Sequence, residues 1–569
     1  MTSRDAGGPE ETNGRRGLDG LREAHDETKD DHGEGMRVYR RTIALAAAAA
    51  LIIAQVGVWQ SLSAMGQNAG VFRTPLGGEP PTIDPYFATD FSSGDLTFLM
   101  YTTLVGLDSK GHIVPEGARS WDVSPDGLLY TFHLRDNVQF HGGRKVTAAD
   151  WKWSFERMGD PKVKTEVGDV VLAGVEGYDA EQKGAPGLAG MKVIDPLTLQ
   201  FVLNPKARGG FLNRLAYYAA VVLDRDVVEK GGKGWYESRD AGSGPFTFKE
   251  WAHNDHVTLV SDPHYFLGAP KVARIEMPIV TEATTRLSEY QAGQLDLVAV
   301  PLADFPRIKS DPVLGKELLV FPRAQIIWLG PNPRVYEAFK DKKVRQAFAM
   351  AIDKEKIART VFAGFYQPAA GIVPPGIPGY YTGYKGLPYD PAQAKKLLAE
   401  AGLAGKLPPL TIAINPIAQD YQMATEAAAA MLKDNLGVDV RLQKTEFANF
   451  QQGMNRRTVF PAFMTGWAAD YLDYSDYLDL LLLSSSPLDR VSYNNPEFDR
   501  LVGQANAAPN EDARTVLYHK AEALAVEDAA MVPMLFTQFA LLKKPYVQGL
   551  QTTPALSGWL RFNTVSIQK

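Results

Sequence analysis

From Val71 to the C-terminus the chain switches repeatedly between short β-rich runs and stretches of helical periodicity, with Gly and Pro between them. The whole chain holds 51 glycines and 37 prolines. That mix of strands and helices reads as an α/β chain. Leu129 to Leu134 is a β-rich run that follows the turn residues Ser124-Pro125-Asp126-Gly127. Thr147 is placed to cap a helix carrying Trp151, Trp153 and Phe155. Residues 246–248 and 257–260 flank a polar turn and predict a hairpin. Residues 343–357 carry Val344, Phe348, Ala349, Ala351 and Ile352 at amphipathic helical spacing. Further helices are predicted at 391–401, 424–436 and 496–507. A single run of βαβ units is not evident, and helices cluster after residue 340. A chain of 569 residues exceeds what one hydrophobic core serves, so several domains or lobes are expected, and two lobes around a cleft are one architecture that fits.

The N-terminal region reads differently. Residues 1–35 are charged, Gly-rich and free of aromatic side chains, so they bury too little to offset the entropy of ordering. They are expected to be disordered, or to precede the true start at Met36. A basic stretch with Arg37, Arg40 and Arg41 follows, then the apolar run 43–59 and the small residues around Ser63, Ala64 and Gly66. That order is a signal peptide, cleaved before Ala64 or before Gln67. The alternative is an uncleaved anchor, because the apolar run sits at the lower limit for a membrane span. The paired arginines also admit twin-arginine export.

The chain has no cysteine. Disulfides, thiolate chemistry, cysteine-based metal sites and a lipid-modified cysteine are thereby excluded. Net charge is −6, of which residues 1–35 contribute −5 and residues 36–66 contribute +3. The remainder is too nearly balanced to favour a nucleic-acid partner.

Several segments then fall in a recognisable order. Glu79-Pro80-Pro81-Thr82-Ile83-Asp84-Pro85 comes first, with Thr103-Leu104-Val105-Gly106-Leu107 downstream. Residues 126–143 (DGLLYTFHLRDNVQFHGG) lead into Val146-Thr147-Ala148-Ala149-Asp150. Later come Gly242-Ser243-Gly244-Pro245-Phe246, residues 343–348 with Ala351-Ile352-Asp353-Lys354, and Tyr389-Asp390-Pro391 before Ala394-Lys395-Lys396-Leu397-Leu398. Gly466-Trp467-Ala468-Ala469-Asp470-Tyr471 and residues 493–499 close the series. In order and spacing they resemble the large peptide, nickel and opine solute-binding proteins of ATP-driven importers, bacterial extracellular solute-binding family 5.

The resemblance implies a two-lobed periplasmic-binding-protein fold of the cluster C type, with a hinge and an extra subdomain. Lobe I would comprise residues 71–106 and 229–323, with the extra subdomain at 107–228. Lobe II would run from 324 to 533, and residues 534–569 would return to lobe I. The implied function is capture of a small peptide-like solute outside the cytoplasm and delivery to the permease subunits of an ABC importer. The binding protein is expected to act as a monomer without cofactor or metal.

The richest candidate segment is 466–480, where Asp470, Asp473, Asp476 and Asp479 fall at every third residue. On a helix that spacing drifts by about 60° per step, so the four cannot share one face. The last three are expected to be helix-start carboxylates pointing to water. By the resemblance, Asp470 takes the ligand's α-ammonium group; the competing reading is a buried structural ion pair. Trp467, Ala468 and Tyr471 would surround it, with Trp467 packing a ligand side chain. Ala88, Thr89 and Asp90 correspond to a loop whose backbone pairs with ligand, and Phe447 to an aromatic residue lining a side-chain pocket. Trp328 and Asn332 are weaker candidates that read equally well as core or hinge. Arginines that certain oligopeptide binders place just before the Gly-Trp segment are displaced here, to Arg456 and Arg457. How the ligand's far end is held is therefore open.

Other chemistries fit poorly. His253 and His256 are the only close histidine pair and fall in the predicted hairpin turn. Ala241-Gly242-Ser243-Gly244-Pro245 lacks the spacing of a nucleophile elbow, and no second carboxylate matches a glycosidase pair. His-Glu-x-x-His and the phosphate-binding loop are absent. The sequence argues for a binding protein and not an enzyme. An oligosaccharide, opine or metal-chelate receptor, or a membrane-tethered sensor, are the alternatives.

Overall fold

A computed structural model of the protein describes residues 70–165, 167–204, 209–508, 510–555 and 557–569. The 1–35 extension and the export segment, including residues 43–59, lie outside them. Among the described residues no helix is long and apolar enough to cross a membrane.

Three sheets organise the α/β chain. The first places Val71–Arg73 parallel to Arg274–Pro278, which pairs in turn with the hairpin His256–Ser261 and Phe246–Ala252. The second is an antiparallel set in the order Ala118–Val123, Leu129–Leu134, Thr198–Val202, Met191–Asp195. Alternation in Leu129–Leu134 turns Tyr130, Phe132 and Leu134 inward, where Phe132 meets Phe201 edge-on at 5.7 Å. The helix Ala148–Gly159 covers this sheet and starts with a capping box between Thr147 and Asp150.

The third sheet has seven strands. Its centre is a pair of long antiparallel strands, Leu318–Pro331 and Val532–Lys543, which pair from Leu318 opposite Leu542 to Leu329 opposite Val532 with register shifts between Pro322 and Ile326 and between Ile327 and Trp328. Ala462–Ala468, Leu410–Ile414 and Val440–Lys444 follow on one side, and the last two run parallel to each other. Both faces of this sheet are covered. Ile326 and Trp328 enter one apolar cluster, and Ile327 and Leu329 enter another on the opposite face. Each such side chain contributes on the order of 1.5–3 kcal/mol by burial. That is why the run Ile326-Ile327-Trp328-Leu329 shows no polar alternation.

The first two sheets share one large core, and C-terminal residues pack into it: Phe562 lies edge-on to Phe72 at 4.8 Å. Arg561 pairs with buried Glu116 at 2.8 Å and donates to the Tyr101 carbonyl. Asp84, from the early Pro-rich motif, is also internal: it accepts from Arg157 at 2.7 Å and Trp235 at 3.1 Å. The chain thus forms two α/β bodies joined through the long strand pair. The expected boundaries at 323/324 and 533/534 fall inside those two strands.

Local sequence signals locate most helices. Asp390 caps Pro391–Glu400 and Asn495 caps Pro496–Asn506, each with Pro in the first turn. The predicted helix over 343–357 is instead two, Lys342–Met350 and Lys354–Thr360. Asp353 caps the second by accepting from the Lys356 amide, which breaks the run.

Candidate ligand-binding site

The strand Ala462–Ala468 runs between Leu318–Pro331 and Leu410–Ile414, and its carboxyl end delivers Asp470 to a cavity between the two bodies. The cavity measures about 230 Å³. Thr89, Asp90, Phe91, Tyr217 and Tyr218 line one side, Ala468 to Leu472 the other, and Arg323 and Ala324 of the long strand contribute as well. Asp90, Phe91 and Arg323 also border a second cavity of about 690 Å³, so the two spaces adjoin.

The backbone at Asp470 is held firmly. The Ala469 amide donates to the Ala324 carbonyl at 2.8 Å, and the Tyr477 hydroxyl donates to the same oxygen at 2.7 Å. Beneath Asp470 lies Asp476, fully buried, whose Oδ2 accepts from Trp467 Nε1 at 2.9 Å and from the Asp470 amide at 3.2 Å. Burial, and after it the neighbouring charge of Asp470, push the Asp476 carboxyl well above the ordinary carboxylate range. Asp470 is the member of the pair that lines the cavity. Its own carboxylate makes no hydrogen bond or ion pair among the described residues. Burial pushes it up to about 6.

That arrangement differs from the competing reading of Asp470 as half of a structural ion pair. The site holds a desolvated anion with its coordination left open, which a cationic group of a ligand would complete. With the carboxyl raised to about 6, an ammonium group that paired with Asp470 would displace its proton at low pH. Affinity for such a ligand is expected near full strength above about pH 7, about half that at pH 6, and about tenfold lower by pH 5, as protonation competes. Calorimetry in two buffers of different ionisation enthalpy should show proton release near pH 6. Equal binding at pH 5 and pH 7.5, with no proton release, would remove Asp470 from the contact.

The remaining aspartates correct the sequence expectation: Asp473, Asp476 and Asp479 do not point to water from a helix start. The segment is a turn with a short 3-10 element at Tyr474–Asp476, followed by the brief helix Leu478–Leu482. Asp473 is buried against Arg514, and Asp479 accepts from Asn506 and from the Tyr518 hydroxyl. The broken helix turns them inward, where partners from later helices meet them.

The other candidates are placed as follows. Ala468, Tyr471, Thr89 and Asp90 line the same cavity as Asp470. Asp90 also caps the helix Phe91–Met100 through the Ser93 amide at 3.0 Å. Trp467 lies outside the cavity wall and braces Asp476 from behind. Ala88 is fully buried, with its carbonyl accepting from Tyr218 at 2.6 Å. Phe447 opens the helix Phe447–Arg456, which Glu446 caps, and stays half exposed away from the cavity. Trp328 is buried edge-on to Phe463 at 5.3 Å. Asn332 is buried and latches the carbonyls of Arg457 and Phe460. His253 and His256 sit at the hairpin turn, His253 against Glu79 at 2.7 Å. No cluster of three or more metal-ligating side chains occurs among the described residues.

Tyr217, Tyr218 and Arg323 line the cavity without having been singled out by sequence. The two tyrosines lie in an apolar run that reads as plain core, and Arg323 has no motif around it.

Known proteins share this arrangement of lobes. The family model "Bacterial extracellular solute-binding proteins, family 5 Middle" matches residues 112–487. The chain belongs to this family. Over 488 residues the family-5 protein is 29% identical to the periplasmic oligopeptide-binding protein OppA of Escherichia coli K12, covering 83% of this chain and 88% of that one. Over 517 residues it is 31% identical to heme-binding protein A of Haemophilus influenzae, covering 87% and 91%. Its structure is similar to the unliganded open form of the murein tripeptide-binding protein MppA, with a TM-score of 0.76 at 27% identity over 88% of this chain and 97% of that one. The fold is thus the two-lobed α/β architecture with an extra subdomain, and the cavity at Asp470 lies where two bodies of a binding protein face each other.

Proposed function

We propose that the protein captures a small peptide between its two lobes and delivers it to the membrane subunits of an ABC importer. The observation that carries this reading is the unpartnered carboxylate of Asp470 on the cavity wall. A free α-ammonium group is the cation that a peptide supplies to it. Relatives named for oligopeptide and murein tripeptide binding support the ligand class. The protein holds its ligand without changing it. Lobe I is assigned to residues 71–106, 229–323 and 534–569, the extra subdomain to 107–228, and lobe II to 324–533. Residues 36–66 direct export to the extracytoplasmic space.

Native mass spectrometry of protein purified without refolding tests this reading. A ladder of bound masses matching short peptides is expected. A bound sugar, metal chelate or haem would overturn it. The same measurement reads the mature N-terminus, expected at Ala64 or Gln67. A chain that retains residues 43–59 would instead be anchored.

A further inference from the structure

Arg323 is a cation on the wall of the cavity that Asp470 lines. It lies on the long strand Leu318–Pro331, where pairing with Val532–Lys543 is interrupted between Pro322 and Ile326. Pro322 faces Gln538 and Ile326 faces Phe536, so the three residues 323–325 stand opposite the single residue Thr537. Such a bulge re-aims a side chain out of the regular ladder. Its backbone is pinned, since the Ala324 amide donates to the Pro554 carbonyl at 2.9 Å and the Ala324 carbonyl accepts from Ala469 and Tyr477.

The guanidinium rests between two aromatic rings, 5.1 Å from the Phe91 centroid and 5.2 Å from the Phe539 centroid. Phe91 is 54% exposed, so this stack faces open space and not the core. None of the five N–H donors of Arg323 has a hydrogen-bond or ion-pair partner among the described residues. Other inward-facing arginines of the chain do have them: Arg514 with Asp473, Arg561 with Glu116, Arg157 with Asp84. Burial accordingly pulls the guanidinium down from its ordinary value. Nearby carboxyl groups are engaged elsewhere. Asp90 caps the Ser93 amide, Asp95 accepts from Ser557 at 2.9 Å, and Asp420 accepts from Tyr366 at 3.0 Å. A half-buried cation stacked but left without an acceptor is an unfinished site, because its desolvation is not repaid by any internal hydrogen bond.

Resting on the peptide reading above, we infer that Arg323 receives a carboxylate of the bound ligand. Asp470 and Arg323 line the same cavity. The pair therefore selects a zwitterion, with its ammonium on lobe II and its carboxylate on the bulge of the long strand. The far end of the ligand is held by Arg323 in place of the arginines expected near the Gly-Trp segment. A planar guanidinium suits this role because it can bind a carboxylate through two parallel N–H donors.

The test uses a pool of di- to tetrapeptides with free carboxyl ends and the same pool amidated at the C-terminus. Each is offered to ligand-free protein, and capture is read by native mass spectrometry and calorimetry. The wild-type protein is expected to favour the free-carboxyl pool by about 10- to 100-fold, the scale of a charge-assisted hydrogen bond. Arg323→Gln should erase that preference while still binding the amidated pool, with an unchanged thermal midpoint as the folding control. Equal capture of both pools by wild type, with loss of both in Asp470→Asn, would overturn the role of Arg323 and leave peptide capture standing. A preference that survives in Arg323→Gln would place the carboxylate elsewhere. Capture of neither pool by wild type would remove the peptide reading and this inference together.

Discussion

Asp470→Asn is expected to weaken peptide capture by about 2–5 kcal/mol, the cost of removing one partner of a buried charge pair. Calorimetry should record this as an affinity loss of roughly 30-fold to several thousand-fold. The folded protein should not suffer with it. The Asp470 carboxylate has no partner in the ligand-free molecule, and its backbone amide still donates to Asp476 in the variant. Removing an unpaired, desolvated charge should leave the thermal midpoint unchanged or raise it. That combination separates a ligand contact from a structural aspartate, whose loss lowers stability first. Unchanged affinity would take Asp470 out of the site.

The second large effect concerns the platform behind Asp470. Asp473 is buried and makes a bidentate contact with Arg514 of the helix Glu511–Glu527, one arm of it at 2.7 Å. Ser475 adds a donor at 2.6 Å, and the Arg514 guanidinium lies 4.9 Å from the Tyr518 ring. Burial pushes the Asp473 carboxyl up, but the Arg514 charge outweighs it and holds the group below the ordinary carboxylate range. A depressed carboxyl adds stability above its ordinary value near 3.8, and the contribution is lost as pH falls through its lower folded value. The pair therefore persists throughout the neutral range. Arg514→Ala strands Asp473 as a buried charge and should destabilise the fold by about 3–5 kcal/mol, read as an earlier urea transition. The double variant Arg514→Met with Asp473→Leu should recover much of that loss, since apolar groups of similar volume need no partner. If the single variant unfolds at the wild-type urea concentration, the pair does not brace this turn.

Much of the secondary structure was legible because its causes are local. Thr147 with Asp150, Asp390 with Pro391 and Asn495 with Pro496 start their helices by capping geometry that a few adjacent residues dictate. The break between the helices at Lys342–Met350 and Lys354–Thr360 does not show in the sequence because apolar spacing runs through it, while the deciding capping bond of Asp353 is a single contact. The two long strands are hidden in the sequence for a different reason. Buried on both faces, Ile326 to Leu329 carry no alternation that separates a strand from a core helix.

For the site the division is sharper. Residue order brought out the resemblance to the solute-binding family, and through it Asp470, because the Gly-Trp-x-x-Asp segment and its companions follow one another along the chain in a specific order. It also supplied the absence of cysteine, which needs no coordinates. The charge state and surroundings of each carboxylate came only from the folded chain. Asp470, Asp473, Asp476 and Asp479 are equally spaced, yet one faces a cavity unpartnered, one pairs with Arg514, one accepts from the Trp467 ring nitrogen, and one meets Asn506 and Tyr518. Arg323 met the same cavity across nearly 150 residues of chain only through a strand bulge. Local spacing sets which way a backbone turns, whereas desolvation and Coulomb partners depend on groups that long-range packing brings together.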